Sequence, residues 1–123
     1  MTETRASYRS RPADTISPAD ALRASAMTEK ELLETVIKYA DALGWKFFHV
    51  FDSRRSVEGW PDLVLVRSGG RGRRRMIFAE LKSQHGRLSA TQREWLDALR
   101  AFRDVEVYEW RPSNLEAIWE TLQ

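Results

Sequence analysis

The stretch that decides the fold reads GWPDLVLV at residues 59–66, and a second apolar run, MIFAELK, follows at residues 76–82. Both runs have the continuous apolar character that is typical of buried strands. Charged residues stand at their ends: Asp62 opens the first run, and Glu80 and Lys82 close the second. Because charged side chains are rarely buried beside such strands without a partner, these three residues are the first candidates for chemistry.

The two strand ends predict a group of charged side chains on one face of a sheet. Side chains alternate along a strand, so Glu80 and Lys82 point the same way while Leu81 points into the opposite, apolar layer. If the strand that begins at Asp62 lies beside this one, a second carboxylate joins the first. Two carboxylates offer the hard oxygen ligands that suit Mg²⁺ or Mn²⁺. Such a metal activates water for phosphodiester hydrolysis, and Lys82 can orient that water or favour its deprotonation.

Helical patterns flank the strands on both sides. Thr28 and Glu31 form a capping-box pattern ahead of a first helix, which Gly44 stops, and Ser89 and Gln92 repeat the pattern for a second helix. The sequence indicates three further elements: an aromatic strand at 45–51, a strand around Val105 and Val107, and a terminal helix after Pro112. The apolar residues of this helix are Leu115, Ile118, Trp119 and Leu122. In the second helix, Trp95, Leu96, Leu99 and Phe102 are expected to share one face.

The predicted order of elements is αβββαβα. Three consecutive strands favour antiparallel neighbours, and the strand-helix-strand passage that follows favours a parallel, right-handed crossover. We therefore expect an α/β fold with a mixed four-stranded sheet flanked by helices. Residues 1–26 show no sustained apolar period and contain Pro12 and Pro18, so we expect a flexible N-terminal tail there and one folded domain over residues 27–123.

Composition limits the classes of function. The chain has 123 residues, of which 42% are hydrophobic and 31% charged, as in globular proteins. It contains no cysteine and two histidines, which excludes disulfides and thiolate metal sites and leaves too few histidines for a His-rich zinc site. No apolar run approaches the roughly 20 residues that span a bilayer, and the N-terminus lacks a secretory signal pattern. We expect a cytoplasmic protein that does not bind membranes.

Positive charge is concentrated between residues 53 and 75. This segment holds seven arginines (54, 55, 67, 71, 73, 74 and 75) against Glu58 and Asp62. Within it, Ser53, Arg54, Arg55 and Ser56 lie in a predicted loop where two guanidinium groups and two hydroxyls can hold phosphate oxygens. A solvated turn would have the same composition, and residues 71–75 fit a charged hairpin tip equally well.

The motifs resemble a known nuclease family. Pro61-Asp62 followed by Glu80-Leu81-Lys82 is similar to the signature of the PD-(D/E)XK nucleases, and αβββαβα is similar to the restriction-endonuclease-like core. Glu29, the Ser53–Ser56 loop and Gln92 extend the likeness, over about residues 27–123, to the VRR-NUC family and its stand-alone, phage-like members. The resemblance implies that Asp62, Glu80 and the Leu81 carbonyl bind Mg²⁺ or Mn²⁺, that Lys82 is catalytic, and that Glu29 and Gln92 complete the site.

The predicted site leaves alternatives for its outer members. Glu31 and Glu34 compete with Glu29 because an acidic residue in a first helical turn is favourable in itself. Gln92 is already accounted for by its capping box with Ser89, and capping and a site role would require different conformations.

The function that the resemblance implies is a structure-selective DNA endonuclease for branched DNA, junctions or flaps, with a phage or bacterial setting. A homodimer and a helicase partner are both compatible with a domain this small. The first alternative is a non-catalytic nucleic-acid-binding module that uses the arginine-rich loops, although its bare carboxylates would repel phosphate. The second alternative is a structural or protein-interaction domain, whose acidic pair would have no affinity for metal.

Overall fold

The computed structural model describes residues 16–50, 57–68 and 73–123. The chain forms an α/β fold with a four-stranded mixed sheet between helices, as predicted. The elements in chain order are α1 (Pro18–Ala26), α2 (Glu29–Ala42), β1 (Lys46–His49), β2 (Leu63–Arg67), β3 (Arg75–Leu81), α3 (Ala90–Arg100), β4 (Glu106–Trp110), a 3₁₀ turn (Pro112–Asn114) and α4 (Leu115–Leu122).

The sheet has the order β1-β2-β3-β4. β1 pairs with β2 and β2 with β3 in antiparallel fashion, whereas β3 and β4 are parallel. The parallel pair is the one that is connected through α3, as the predicted crossover requires. The first three strands follow one another directly, and this order places the start of β2 beside the end of β3.

The main core lies on the face of the sheet that α2 and α4 cover. Leu63 and Leu65 of β2 and Ile77 and Leu81 of β3 are buried there at 2% exposure or less. They pack with residues from both helices, among them Leu32, Val36, Ala40, Ile118 and Leu122. The strand residues of the opposite parity face α3, so the two faces of β3 have different roles: one builds the core and the other carries Glu80.

Both predicted capping boxes form. The Thr28 hydroxyl accepts a hydrogen bond from the Glu31 amide, and the Glu31 carboxylate accepts one from the Thr28 amide. Ser89 and Gln92 make the same reciprocal pair at the start of α3. Gly44, with a φ of 82°, follows the C-cap of α2 in the left-handed region that glycine adopts without steric cost.

The predicted flexible tail is wrong for residues 18–26, which form α1. Ser17 caps this helix and Pro18 occupies its first turn, the arrangement that favours helix initiation. Ala24 is the one buried residue of the helix. A helix that buries so little needs no apolar period, which is why the sequence pattern did not indicate it. Ser25 approaches His85, with the Oγ and Nε2 atoms 3.3 Å apart. Residues 1–15 of the predicted tail lie outside the described residues.

A second expectation also fails, at the end of α3. Phe102 was expected to extend the apolar face of that helix, but α3 ends at Arg100 and the Phe102 side chain is 64% exposed. The amide of Phe102 donates to the Leu99 carbonyl, which closes the helix with a tighter turn. Because the chain leaves the α-helix after Arg100, Phe102 no longer follows the 3.6-residue period, and its ring does not lie on the apolar face of α3.

Two arginines of the basic segment stabilise the end of the β2-β3 pair that lies away from Asp62 and Glu80. Arg67 and Arg75 are register partners. The Arg67 guanidinium donates to the carbonyl oxygens of Leu43, Leu122 and Gln123, and Arg75 donates to Glu106 through two nitrogens and to the Thr121 carbonyl. Both guanidinium groups also lie over the Trp45 ring, at 4.4 and 5.1 Å from its centroid. These two arginines therefore join helix ends to the sheet, and they are not free to form a phosphate-binding stripe.

Candidate active site

A short loop, residues 57–61, positions Asp62 against the start of α3. Gly59 has a φ of 84°, and a Cβ atom at this position would come within 2.6 Å of the Thr91 carbonyl group. The loop and the helix are thus in direct backbone contact, and only glycine fits between them. The Trp95 indole nitrogen donates to the Glu58 carbonyl at 3.1 Å, which holds the loop at a second point.

Aromatic packing completes the attachment of this loop. The Trp60 ring packs edge-on against Phe78 of β3, with centroids 5.7 Å apart, and against Trp95 of α3 at 5.0 Å. The ring lies between the sheet and α3, where it fixes the approach of the chain to the buried Pro61 and then to Asp62.

Asp62 and Glu80 are brought together by the pairing of β2 with β3. The register pairs Leu63 with Ala79, so the preceding Asp62 lies opposite Glu80 on the face of the sheet toward α3. One Asp62 carboxylate oxygen accepts a hydrogen bond from the Leu81 amide at 2.8 Å. Leu81 itself points into the opposite core with 2% exposure, as predicted.

Glu80 is the one charged side chain that is buried within the described ranges, with 1% exposure. Its Oε2 atom accepts a hydrogen bond from the Gln92 amide nitrogen at 3.0 Å. Its Oε1 atom is also buried and accepts no hydrogen bond from a donor in the described part of the chain. An ionised carboxylate oxygen is costly to bury without a partner, so this atom is the place where ionised Glu80 would bind a cation.

The electrostatics of the site follow from this burial. Desolvation, followed by a side-chain hydrogen bond to Asp62 and the charge of that carboxylate, raises the pKa of Glu80 to about 9. The Lys82 ammonium acts in the opposite direction on this pKa, and Glu29 raises it slightly. A carboxyl group that holds its proton at neutral pH next to a second carboxylate is a site where a cation would replace the proton.

Gln92 caps α3 and contacts the acidic pair in a single conformation. Its Oε1 atom accepts from the Ser89 amide at 2.8 Å while its Nε2 atom donates to Glu80 at 3.0 Å. The expectation that capping and a site role would require different conformations is therefore wrong. The two ends of one side-chain amide satisfy the helix cap and the carboxylate together.

Lys82 directly follows the last residue of β3 and precedes a turn that the hydrogen bond from the Gly86 amide to the Ser83 carbonyl closes. Its amide donates to the Trp110 carbonyl at 3.0 Å. The Arg111 guanidinium donates to the carbonyl oxygens of Ser83 and Gly86, at 2.8 and 2.6 Å, and pairs with Glu109. Sequence analysis missed Arg111 because nothing in the local sequence indicates that its partners are backbone carbonyls more than twenty residues away.

The remaining predicted site residues differ in what the structure describes. Glu29 is the first residue of α2 and is exposed, and its negative charge raises the pKa of Glu80. The predicted phosphate-binding loop, Ser53, Arg54, Arg55 and Ser56, lies outside the described residues and stays a prediction. Arg73 and Arg74 are exposed, whereas Arg71 is outside the described residues.

A metal ion would have two carboxylate ligands here. No group of three or more histidine, cysteine, aspartate or glutamate side chains that could hold a metal occurs within residues 16–50, 57–68 and 73–123. Mg²⁺ is commonly held by one or two carboxylates and completes its shell with water and phosphate oxygens. Asp62 and the unpartnered Oε1 of Glu80 fit that pattern. None of the helices within these ranges has the length and apolar content needed to cross a membrane.

Comparison with known proteins identifies the family. A family model described as the VRR-NUC domain matches residues 4–111. The match covers most of the chain and includes Asp62, Glu80, Lys82 and Gln92. It also begins earlier than residue 27, where we expected the likeness to start. No curated protein and no solved structure matches the chain. The VRR-NUC domain is a nuclease domain, and the chain belongs to the VRR-NUC family.

Proposed function

We propose that this protein is a metal-dependent nuclease that hydrolyses phosphodiester bonds of DNA as a structure-selective endonuclease for branches, junctions or flaps. The observation that carries the proposal is the pair of carboxylates that β2 and β3 bring together, of which Glu80 has a buried oxygen that accepts no hydrogen bond from the described residues. Lys82, on the same face as Glu80, adds the positive charge that such chemistry uses. Family membership supports the nuclease activity, and the choice of branched DNA rests on resemblance.

The site residues have different roles in the proposed hydrolysis. Asp62 and Glu80, with the Leu81 carbonyl, would hold Mg²⁺ or Mn²⁺. When bound, the metal supplies charge for the phosphate and a more acidic water. Gln92 donates to Oε2 of Glu80, which fixes the carboxylate, and Oε1 would be the atom available to hold the cation. The Lys82 ammonium would orient the attacking water and stabilise the negative charge that develops there.

The arginine loop and Glu29 have supporting roles in the proposal. Arg54 and Arg55, with Ser53 and Ser56, hold the phosphates that flank the cleaved bond. Glu29 adds negative charge at the edge of the site. Such phosphate contacts fix the position of the backbone without reading its sequence, so we expect little base specificity.

A digestion panel tests this proposal. Linear duplex, single strand, flap and four-way junction are incubated with the full chain in Mg²⁺, in Mn²⁺ and with a chelator, and a closed circular plasmid separates endonuclease from exonuclease action. We expect cleavage that depends on metal and is fastest on the branched substrates. Retardation of DNA without cleavage in either metal would contradict the nuclease and favour a binding module that uses the arginines.

A further inference from the structure

The sheet face that carries the acidic pair is only partly covered by α3. The register places Phe48, Val64 and Phe78 in one row across β1, β2 and β3. Trp60 packs on Phe78, which is 8% exposed, whereas Phe48 on the edge strand is 63% exposed. The part of this face that no described residue outside the sheet covers is called the open face below, and its residues are Lys46, Phe48, Val64, Val66 and Met76.

The open face adjoins the candidate active site directly. The Val50 amide donates to the Asp62 carbonyl, and the β1-β2 register continues to this pair. Phe48 lies two residues before Val50 and on the same face, so it is the diagonal neighbour of Asp62 across the two strands. Diagonal neighbours have Cα atoms about 7–8 Å apart, within reach of an aromatic side chain. If one nucleotide binds at the carboxylates, the adjoining nucleotide would therefore lie beside the Phe48 ring.

The chemistry of the open face suits a nucleobase. An exposed aromatic ring offers a surface on which a base can stack, and every base has such a face, so stacking is tolerant of sequence. Lys46 lies two residues from Phe48 on the same face and is exposed, where its ammonium can contact a phosphate. In a paired duplex the faces of the bases are covered by their neighbours, so an unpaired base is the form that can use the ring.

The area of the open face argues against a protein partner. Phe48 and Met76, at 63% and 38% exposure, are its large exposed apolar side chains. Together they offer on the order of 200 Å², since an aromatic side chain buries roughly 150–250 Å² at most. A stable protein interface needs about 800 Å² from each partner. One ring next to a lysine matches a single base and its phosphate much better than a second copy of the chain.

We propose that Phe48 is a stacking platform for an unpaired nucleobase of the DNA strand whose phosphate lies at Asp62 and Glu80, with Lys46 on the adjoining phosphate. This inference rests on the proposed nuclease function and deepens it. It predicts that unpaired nucleotides beside the cleaved bond strengthen binding, and it names a residue that would favour flapped or tailed DNA.

The test compares binding of a blunt duplex with that of the same duplex carrying a single-stranded tail. Fluorescence anisotropy is measured for the full chain and for Phe48→Ala in Ca²⁺, which replaces the catalytic metal, and 2-aminopurine in the tail reports stacking. Phe48→Ala is expected to weaken binding of the tailed DNA by about 5- to 150-fold, the loss typical of one stacked base, and to leave the blunt duplex unchanged. Phe48→Trp should retain both the affinity and the change in 2-aminopurine fluorescence.

Phe102→Ala is the matched control, because Phe102 is 64% exposed and lies beyond the C-terminal end of α3. It should bind both DNAs as the parent does. Three results for Phe48→Ala would overturn the platform. They are an equal loss of affinity for both DNAs, no loss of affinity for either, and a change from dimer to monomer in sedimentation.

Cleavage by the parent is measured in parallel with Mn²⁺. A parent that binds tailed DNA through Phe48 but cleaves nothing would refute the nuclease proposal alone, and a parent that cleaves while Phe48→Ala binds normally would refute the platform alone.

Discussion

Replacing Glu80 by glutamine is expected to stabilise the metal-free protein and to abolish its response to metal. Burial and Asp62 raise the pKa of Glu80 from 4.5 to about 9. Below pH 4.5 the group is protonated in the folded and the unfolded chain alike, so its ionisation does not change the free energy of unfolding. Between these two values the unfolded chain has released a proton that the folded chain keeps. The free energy of unfolding therefore falls with rising pH, by about 1.4 kcal/mol per unit.

The size of the effect follows from that slope. At pH 7 the accumulated loss for the parent is about 3 kcal/mol, and glutamine does not incur it because its amide never ionises. A difference of this size corresponds to roughly 10 °C in Tm for a chain of this length. Glutamine can also keep the contact to Gln92, since its own carbonyl oxygen can accept the bond that Oε2 accepts now.

Thermal unfolding with a chelator at pH 5, 6, 7 and 8 measures this difference, and Mn²⁺ is then added. The Tm of Glu80→Gln should exceed that of the parent increasingly as the pH rises. Only the parent should gain stability from Mn²⁺, by about 3 kcal/mol when the metal is at 100 times its Kd. Glu94→Gln removes the same charge from an exposed position of α3 and should behave as the parent. A Glu80→Gln protein that melts at or below the parent throughout this pH range, or that still responds to Mn²⁺, would refute the reasoning.

Three further variants test other parts of the account. Lys82→Ala should keep Mn²⁺ affinity and lose about 10²- to 10⁴-fold in single-turnover cleavage; unchanged cleavage would make Lys82 a bystander. Arg54→Ala with Arg55→Ala should weaken DNA binding across sequences and lower the slope of log K against log salt by roughly two; an unchanged slope would assign phosphate contact elsewhere. Gly59→Ala should lower the free energy of unfolding by about 1–3 kcal/mol because its Cβ would lie 2.6 Å from the Thr91 carbonyl group; a normal melting curve would show that the loop can move away from α3.

Local sequence signals predicted most of the fold correctly. The boxes at Thr28 and Ser89 and the stop at Gly44 are contacts within four residues, so their residue types alone indicate them. The pairing of β2 with β3 was the condition for bringing Asp62 to Glu80, and the short connection between the two strands favoured it. These features depend on neighbours in the chain, which is why a single sequence carries them.

The features that were missed depend on residues far apart in the chain. Arg67 reaches carbonyls of Leu43 and Leu122, and composition alone could not separate it from an arginine that binds phosphate. The helix α1 buries only Ala24, so it has cap signals but almost no apolar pattern. The double contact of Gln92 depends on the distance from α3 to β3, which no spacing in the sequence states.

Calorimetric titration of Mn²⁺ into the parent and into Asp62→Asn, with single-turnover cleavage of a flapped DNA by the same samples, tests the central claim most directly. Asp97→Asn, at an exposed position of α3, is the matched control. Metal should bind the parent and Asp97→Asn with similar affinity and support cleavage by both, whereas Asp62→Asn should lose metal binding and cleavage together while its melting curve stays cooperative. Equal Mn²⁺ affinity and cleavage in Asp62→Asn and the parent would contradict the account.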